Sequence, residues 1–579
     1  MSYIDKYNLW TTNKYFDYET REELESIREN DKEIEERFYK ELEFGTGGLR
    51  GIIGAGTNRM NIYTVRKVTQ GLANFICQMG DEAKDKGIVI AFDSRYKSPE
   101  FAMEAARVMA TNGIKAYIFD ELRPTPMLSF AVRHLGAIAG IVITASHNPK
   151  EYNGYKVYGE DGGQLPVSSS DIVLEEINRI DDLTKIEVIG ETEAKNLGLI
   201  KVIGKEVDDE YMTKLKGLTI NKEVVDKIAP TFKIVYTPIH GSGNKPVRRI
   251  FSEMGYENIL IVKEQEEPDS AFSTVKSPNP EEKEAFTLAI QLAKKENVSL
   301  IIGTDPDCDR VGVVVRNALG EYMVLTGNQT GCLLLEYILS QKNKLGKLPK
   351  DGFVVKTIVT TEMSRRIARE YNIELVEVLT GFKFIGEKIK QLDEFGDKEY
   401  LFGFEESYGY LAGTFVRDKD AVVASMLIAE MAVWYESRNM TLYDGLEELF
   451  KKYGNYQEGI TSFTLTGKEG QEKIERAMNR LRESDIRNFG KFKVQARRDY
   501  LKDIRVCYSD SKEESLNLPI SDVLYYEFTD GSWFCVRPSG TEPKIKIYYG
   551  INDENEELAK VKLSELKEHV LNVVSPLLS

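Results

Sequence analysis

Cysteine and histidine are scarce in this 579-residue chain, with five and four copies. The cysteines, at 77, 308, 332, 507 and 535, are scattered and form no CxxC pair. That argues against a disulfide framework and fits reduced thiols in a cytosol-like compartment. Positive charge is also short: 77 Lys and Arg stand against 93 Asp and Glu, a net charge of −16. An acidic chain of this kind is a poor general partner for nucleic acid or an anionic membrane surface. It is not excluded as a binder of small anions, because a local basic pocket suffices. No apolar run approaches the roughly 18 residues needed to span a bilayer. The opening MSYIDKYNLWTTNKYF has neither an apolar core nor a cleavage site, so no signal peptide is expected there. Low-complexity segments are absent too. The expectation is a cytoplasmic protein with no nucleic-acid and no membrane partner.

What is present is ordinary globular composition, 42% hydrophobic and 29% charged. The length suggests roughly three to five domains. Residues 19–43 read as one amphipathic helix, a solvated cap, before the glycine-rich FGTGGLRGIIGAG. A pattern then repeats three times: a β-rich run, a helix-length gap, a second run, another gap, and a third run ending in a polar loop. The first unit has GIVIAFDSR (87–95), IKAYIFDE (114–121) and GIVITASHNP (140–149). The second has FKIVYTPIHG (232–241), NILIVKE (258–264) and SLIIGTDPDCDR (299–310). The third has GFVVKTIVTT (352–361), IELVEVLTG (373–381) and YLFGFEESYGY (400–410). Unalternated Ile/Val runs with helix-length spacers indicate mostly parallel strands buried on both faces. Ligands of such open sheets bind beyond the carboxyl ends of the strands, so the three polar loops are expected to converge. The tail differs. Helical stretches at 471–484 and 554–571 flank aromatic-rich runs that turn at Asp530-Gly531, which reads as an α+β domain with a hairpin.

The loops carry the chemistry. TASHNP (144–149) exposes the hydroxyl of Ser146 at a strand end, beside His147. A serine-esterase triad needs a positioned base and an orienting third group. Adjacent extended residues point apart, so His147 is not placed to deprotonate Ser146, and no GxSxG elbow occurs. In the second loop Asp305, Asp307 and Asp309 repel one another unless a cation gathers them. Hard oxygen ligands suit Mg²⁺, and alternation along an extended loop turns Cys308 away. The third loop, 403–409, offers carboxylate and hydroxyl groups that suit either a helix cap or sugar hydroxyls. In the fourth, Arg537, Ser539, Gly540 and Thr541 suit a phosphate nest or a tight turn between strands; the Arg, two hydroxyls and Gly within five residues favour phosphate, with Lys544 and Lys546 adding charge. Further cations, Arg50, Arg95, Lys156, Lys383, Arg417 and Lys419, sit after expected strands or in glycine-rich loops. A metal loop together with an arginine-rich anion site points to phosphoryl transfer, with Ser146 carrying the phosphoryl group.

TASHNP, GTDPDCDR, GFEESYG and RPSGTEP, in this order, resemble the α-D-phosphohexomutase superfamily over about residues 40–550. The resemblance implies an α/β fold of four domains around a central cleft, three alike plus a C-terminal α+β domain. Their expected bounds are 1–205, 206–322, 323–452 and 453–579. It implies that Ser146 is a phosphoserine and that Asp305, Asp307 and Asp309 hold one Mg²⁺ together with the phosphate on Ser146. His147 and Lys419 match positions that handle protons, and Arg310 would neutralise the transferring phosphoryl group. Thr46 and Arg50 match an N-terminal element, although Gly47 stands where relatives often have Ser. Lys156, with Thr380 and Gly381, is expected at the substrate, and Glu405 and Ser407 match the sugar-hydroxyl loop. Arg537, Ser539, Gly540, Thr541 and Lys546 match the site of the phosphate that does not react. A sugar 1,6-bisphosphate is implied as activator, small sugar phosphates as partners, and a monomer or homodimer as the assembly. The Glu-Glu-Ser form of the sugar loop resembles the glucose-specific branch, implying interconversion of α-D-glucose 1-phosphate and glucose 6-phosphate through a bisphosphate intermediate. The chain length and FGTGGLRG also resemble a pentose-phosphate branch, and mannose phosphates are a further alternative. A catalytically silent sugar-phosphate binder that regulates a partner is the reading from a different class.

Overall fold

Every residue of the first sheet's central strands is buried, as the apolar runs require: Ile88–Phe92 and Ala139–Ile143 have no exposed position. The computed structural model describes all residues except 46, 466, 540–542 and 579, and the side chains of 393–395, 467 and 468. In spatial order the first sheet runs Gly48–Ile52, Tyr152–Gly159, Ala139–Ile143, Ile88–Phe92, Ala116–Phe119, Ile200–Ile203. The last four strands are mutually parallel and the first two antiparallel. The second sheet runs Tyr322–Val324, Val311–Arg316, Leu300–Thr304, Lys233–Thr237, Asn258–Ile261, again with a parallel centre. In both, the third run of the repeat lies beside the first, and the chain turns straight back as an antiparallel strand. Ser146 lies in the first of these turns and Asp305 to Asp309 in the second. The repeat therefore delivers the serine and the acidic loop from equivalent places in two like-built sheets.

By internal contacts the chain divides into two units: residues 1–330 with 385–443, and residues 331–384 with 444–579. The first unit opens with three helices, Tyr3–Thr12, Tyr18–Ser26 and Asp31–Phe38. This corrects the single helix expected over 19–43. Asn30 ends the continuity, because its side chain accepts from Glu33 N and starts a new helix. Nor is the segment a solvated cap. Trp10 stacks on Phe16 at 4.3 Å and meets Phe38 and Tyr63 edge-on, in a cluster that also buries Leu24 and Ile34. Later in this unit the strand Glu399–Glu405 pairs antiparallel with Gly409–Leu411. The helix Ala421–Glu436 follows, buried almost throughout and capped by Asp420, which accepts from Val422 N and Val423 N. Tyr211 Oη donates to the same carboxylate at 2.8 Å. That doubly used cap fixes the residue just before it, Lys419.

The second unit contains the parallel pair Gly352–Thr357 and Glu374–Val378. It also contains an antiparallel sheet in the order Asn455–Thr464, Lys544–Asp553, Trp533–Pro538, Leu524–Phe528, Phe492–Asp499, Ile504–Cys507, Glu513–Ser515. The helices Gly467–Glu483 and Glu556–Val574 pack Ile474, Leu481, Leu563 and Leu566 against Phe534 and Ile547. The expected hairpin is present. Glu527 pairs with Trp533, and Gly531 takes φ 81°, a conformation that glycine adopts without steric cost. Among the described residues no helix is long and apolar enough to cross a membrane.

Candidate active site

Ser146 stands just past the strand Ala139–Ile143 and is buried. Its φ is 53°, left-handed for a residue with a Cβ, and such a conformation persists only where its surroundings impose it, at a cost of order 1 kcal/mol. The surroundings are specific. Ser146 N donates to Thr144 Oγ1 at 2.7 Å, and Thr144 Oγ1 donates to Asp93 Oδ2 at 2.7 Å. The turn also changes the side-chain geometry. His147 Nδ1 lies 3.2 Å from Ser146 Oγ. This corrects the expectation that the two side chains point apart, which assumed an extended backbone. Burial, with help from the Arg310 and Arg50 cations, pushes the imidazole well below its ordinary pKa, so the neutral form is favoured.

The serine meets the acidic loop directly: Ser146 Oγ donates to Asp305 Oδ2 at 2.8 Å. Asp305, Asp307 and Asp309 are all buried, and their ligand oxygens lie within 4.8 Å of one another. The loop is a tight turn rather than an extended strand. Asp305 O accepts from Cys308 N, and Asp305 Oδ1 accepts from Asp309 N and Arg310 N at 3.1 and 3.0 Å. Cys308 takes φ 51° and is buried behind the loop, its Sγ close against Gly243. The thiol thus packs against Gly243, placed there by a left-handed turn and not by strand alternation. Cys308→Ala is accordingly expected to leave kcat within about threefold of wild type and to cost about 1 kcal/mol of stability. Steady-state kinetics and urea unfolding check this. A large rate loss would place the thiol among the reacting groups.

Two lysines neutralise the cluster. Lys156, on the strand Tyr152–Gly159, donates to Asp307 Oδ2 at 2.8 Å and reaches Asp309 Oδ2 at 3.5 Å. Lys419 lies 3.1 Å from Asp309 Oδ2 and 3.2 Å from Asp418 Oδ1. Burial alone would discharge both amines, but the facing carboxylates outweigh it and hold their pKa values up. Burial raises Asp305 well above the carboxylate range, with Asp307 and Asp309 adding to it. Burial would raise Asp307 too, yet Lys156 and Lys419 hold it far below. Arg310 pairs with Glu281 at 2.7 Å. Glu405, buried beside Lys419, has its pKa pushed up to about 7, burial outweighing the nearby cation. Ser407 is half-buried on the same loop, whose Tyr408 carbonyl accepts from Val311 N at 3.2 Å. The loops of all three third runs therefore meet inside the first unit.

Can this cluster take a metal ion? Asp307 Oδ1 and Asp309 Oδ1 are buried without a hydrogen-bond donor. Uncompensated carboxylate oxygens are costly in a protein interior. Three hard oxygen donors, two of them lacking a donor on one oxygen, fit a divalent cation of the Mg²⁺ type.

Other expected site residues lie in different settings. Arg50, on Gly48–Ile52, donates to Asn148 Oδ1 at 2.8 Å and so joins the serine loop. Thr46, Gly540 and Thr541 lie outside the described residues. In the second unit Thr380 Oγ1 is buried without a partner, and Gly381 takes φ 118°. In the same unit Arg537 and Lys546 are directly opposite across two antiparallel strands, and Ser539 N bonds Lys544 O at 2.7 Å. Sequence reasoning gave no role to Thr125, Asp418, Asp93 or Thr144. Thr125 donates to Asp307 Oδ2 at 3.0 Å. Asp418 accepts from Tyr158 Oη and Gln164 Nε2 on Oδ2 and faces Lys419 with Oδ1. Asp93 and Thr125 each follow a parallel strand of the first sheet, the place where the strand-end rule directs attention.

Comparison with known proteins gives the family of the chain. Models of the phosphoglucomutase/phosphomannomutase alpha/beta/alpha domains I, II and III match residues 41–184, 209–320 and 326–453, and that of the C-terminal domain matches 480–568. A phosphoglucomutase of Staphylococcus haemolyticus (strain JCSC1435) is 39% identical over 521 residues, covering 90% of this chain and 92% of that protein. One from Staphylococcus aureus (strain MSSA476) is 38% identical over 528 residues, covering 91% and 93%. Among solved structures, the open form of the Paramecium exocytosis-sensitive phosphoprotein pp63/parafusin, a phosphoglucomutase, superposes with TM-score 0.67 at 19% identity, covering 93% of this chain and 96% of that one. A phosphoglucomutase/phosphomannomutase family protein of Burkholderia thailandensis gives TM-score 0.63 at 18% identity, covering 92% and 97%. The two structures share the fold, while the sequence relatives and the four consecutive domain matches carry the membership: this chain belongs to the phosphoglucomutase/phosphomannomutase family.

Proposed function

We propose that the protein is a phosphoglucomutase, interconverting α-D-glucose 1-phosphate and glucose 6-phosphate through a phosphoserine at Ser146. The observation that carries this is the 2.8 Å bond from Ser146 Oγ to Asp305 Oδ2 within a buried carboxylate triad faced by Lys156 and Lys419. Phosphorylated Ser146 passes its phosphoryl group to a free hydroxyl of the sugar monophosphate. The P–Oγ bond breaks, a P–O bond to the sugar forms, and the hydroxyl proton passes through a nearby base to the leaving Ser146 Oγ. In the return step Ser146 Oγ attacks the other phosphate of the bisphosphate, the P–O bond from that phosphorus to the sugar breaks, and the serine proton passes through a neighbouring acceptor to the freed sugar oxygen. Neutral His147 Nδ1 is within reach for that proton, whereas Lys419 is held charged and serves as an electrostatic partner. Asp305, Asp307 and Asp309 would hold a Mg²⁺, which would supply charge neutralisation to the transferring phosphoryl group. Arg310 and the two lysines add cationic charge where a phosphoserine brings roughly −1.5 to −2. Glu405 and Ser407 are assigned to sugar hydroxyls. Arg537, Ser539 and Lys546 are assigned to a phosphate group, since the guanidinium fork and the amine stand opposite each other on neighbouring strands. A sugar 1,6-bisphosphate primes the serine.

Glucose is favoured by the Glu405-Glu406-Ser407 loop and by relatives at 38–39% identity that carry the name phosphoglucomutase. The test is a substrate panel with Mg²⁺ and glucose 1,6-bisphosphate. Glucose 1-phosphate is expected to exceed mannose and ribose 1-phosphates by at least about tenfold in kcat/KM, the discrimination available from a few sugar contacts. A preference for ribose or mannose would replace the sugar. Binding without turnover and without label on Ser146 would make the chain a silent binder.

A further inference from the structure

One guanidinium gathers most of the serine loop's backbone. Arg95 is buried and lies just after the strand Ile88–Phe92. Its Nη2 donates to Ser146 O at 2.6 Å and to Asn148 O. Its Nη1 donates to Pro149 O at 2.9 Å and Tyr152 O at 3.0 Å. Among the described residues the side chain touches none of the carboxylates of the acidic triad, and it forms an ion pair with Asp93 at 3.4 Å. Asp93 in turn accepts from Arg95 N at 3.0 Å, from Ser98 Oγ at 2.9 Å and from Thr144 Oγ1 at 2.7 Å. Behind the guanidinium, the ring of Phe272 lies 5.1 Å from Arg95 Cζ, and Ser277, from the same irregular segment, donates to His147 O at 3.3 Å.

We propose that Arg95 is a positioning residue for phosphoryl transfer, fixing the left-handed turn at Ser146 and thereby the place of its Oγ. The planar fork is what the job needs. Four carbonyls of residues 146, 148, 149 and 152 converge on two terminal nitrogens, and a lysine ammonium cannot meet that pattern. Asp93 closes the frame from the other side, because it orients both Arg95 and the Thr144 hydroxyl that takes Ser146 N. Ser146 is thus held through its N–H and its C=O by one connected network, and only the hydroxyl is left to face Asp305. Arg95 contacts no assigned substrate group, so its loss acts on the geometry of transfer and not on sugar binding.

The proposal rests on the mutase reading, and Arg95→Lys tests it. Its kcat is expected to fall about 100-fold, the loss typical of a reacting group displaced by an ångström, with KM within about threefold. Intact mass after priming with glucose 1,6-bisphosphate should show slow phosphorylation of Ser146. Amide hydrogen exchange should quicken at residues 144–152 while the rest of the first sheet stays protected. A kcat within about threefold of wild type, a KM rising as kcat falls, or protection lost across the whole sheet would each overturn the positioning role. If Arg95→Lys does not fold, Thr144→Val decides: lower kcat at constant KM supports the network, and unchanged kcat refutes it. Wild type inactive on sugar phosphates would defeat the mutase reading, and the exchange pattern of Arg95→Lys would still judge the clamp.

Discussion

Ser146→Ala is expected to abolish turnover, by roughly 10⁴–10⁶-fold, the range seen when a covalent nucleophile is removed. The loss is chemical, because Ser146 Oγ is the hydroxyl that meets the acidic triad, and the triad carboxylates are engaged by Lys156, Lys419 and Thr125. Sugar-phosphate binding should persist, since the substitution leaves the residues proposed to hold the sugar and its other phosphate untouched. The fold should persist as well. Alanine keeps the backbone bond to Thr144 Oγ1 and the carbonyl bond to Arg95, and loses the hydroxyl donor to Asp305 Oδ2 together with the 3.2 Å contact to His147 Nδ1. That leaves one buried oxygen without its donor, a cost of about 1–3 kcal/mol. Primed turnover assays, intact mass and calorimetric titration with glucose 1-phosphate measure the three quantities. A variant that still turns over, with no phosphate on the protein, would remove the covalent step from the mechanism.

Much of this was legible because burial writes itself into composition. The runs Gly87–Phe92, Gly140–Ile143 and Leu300–Ile302 are apolar without alternation, as strands covered on both faces must be, and their polar ends mark where the sheets stop packing. Asp305, Asp307 and Asp309 were legible because three carboxylates so close in sequence have no packing explanation. The errors share one cause, which is that a string of residue types does not give φ. Ser146 and Cys308 both adopt left-handed backbone. The first brings His147 toward the hydroxyl when extended geometry would turn it away, and the second turns Cys308 aside within a tight turn. Asn30 is a related case, since its side chain ended one helix and began another inside a charge-rich stretch that looked continuous. Arg95 was visible as a cation after a strand. Its task depends on carbonyls supplied by residues 146–152, some fifty positions later. Asp418 was hidden because its partners, Tyr158 and Gln164, are remote in sequence.

Asp307→Asn should be the most damaging change within the acidic loop. Asp307 Oδ2 accepts from Lys156 Nζ at 2.8 Å and Thr125 Oγ1 at 3.0 Å, while Oδ1 is buried without a donor. An amide of the same shape must turn its NH₂ either toward Lys156, placing donor against cation, or toward the carboxylate cluster, where a metal ligand is required. Neither orientation restores the charge. Lys156 then leans on Asp309 Oδ2 alone, at 3.5 Å, so a buried cation is left partly unpaired. Breaking such a pair outright costs about 3–5 kcal/mol, and retention of Asp309 should hold the loss to roughly half of that. The Mg²⁺ concentration for half-maximal rate is expected to rise by at least about tenfold, with kcat falling on the order of 100-fold or more. A magnesium titration at fixed glucose 1-phosphate reads both, and thermal unfolding with and without Mg²⁺ separates metal affinity from fold stability. If the magnesium midpoint stays where it is in the wild type while stability alone drops, Asp307 is a counter-ion for Lys156 and not a metal ligand.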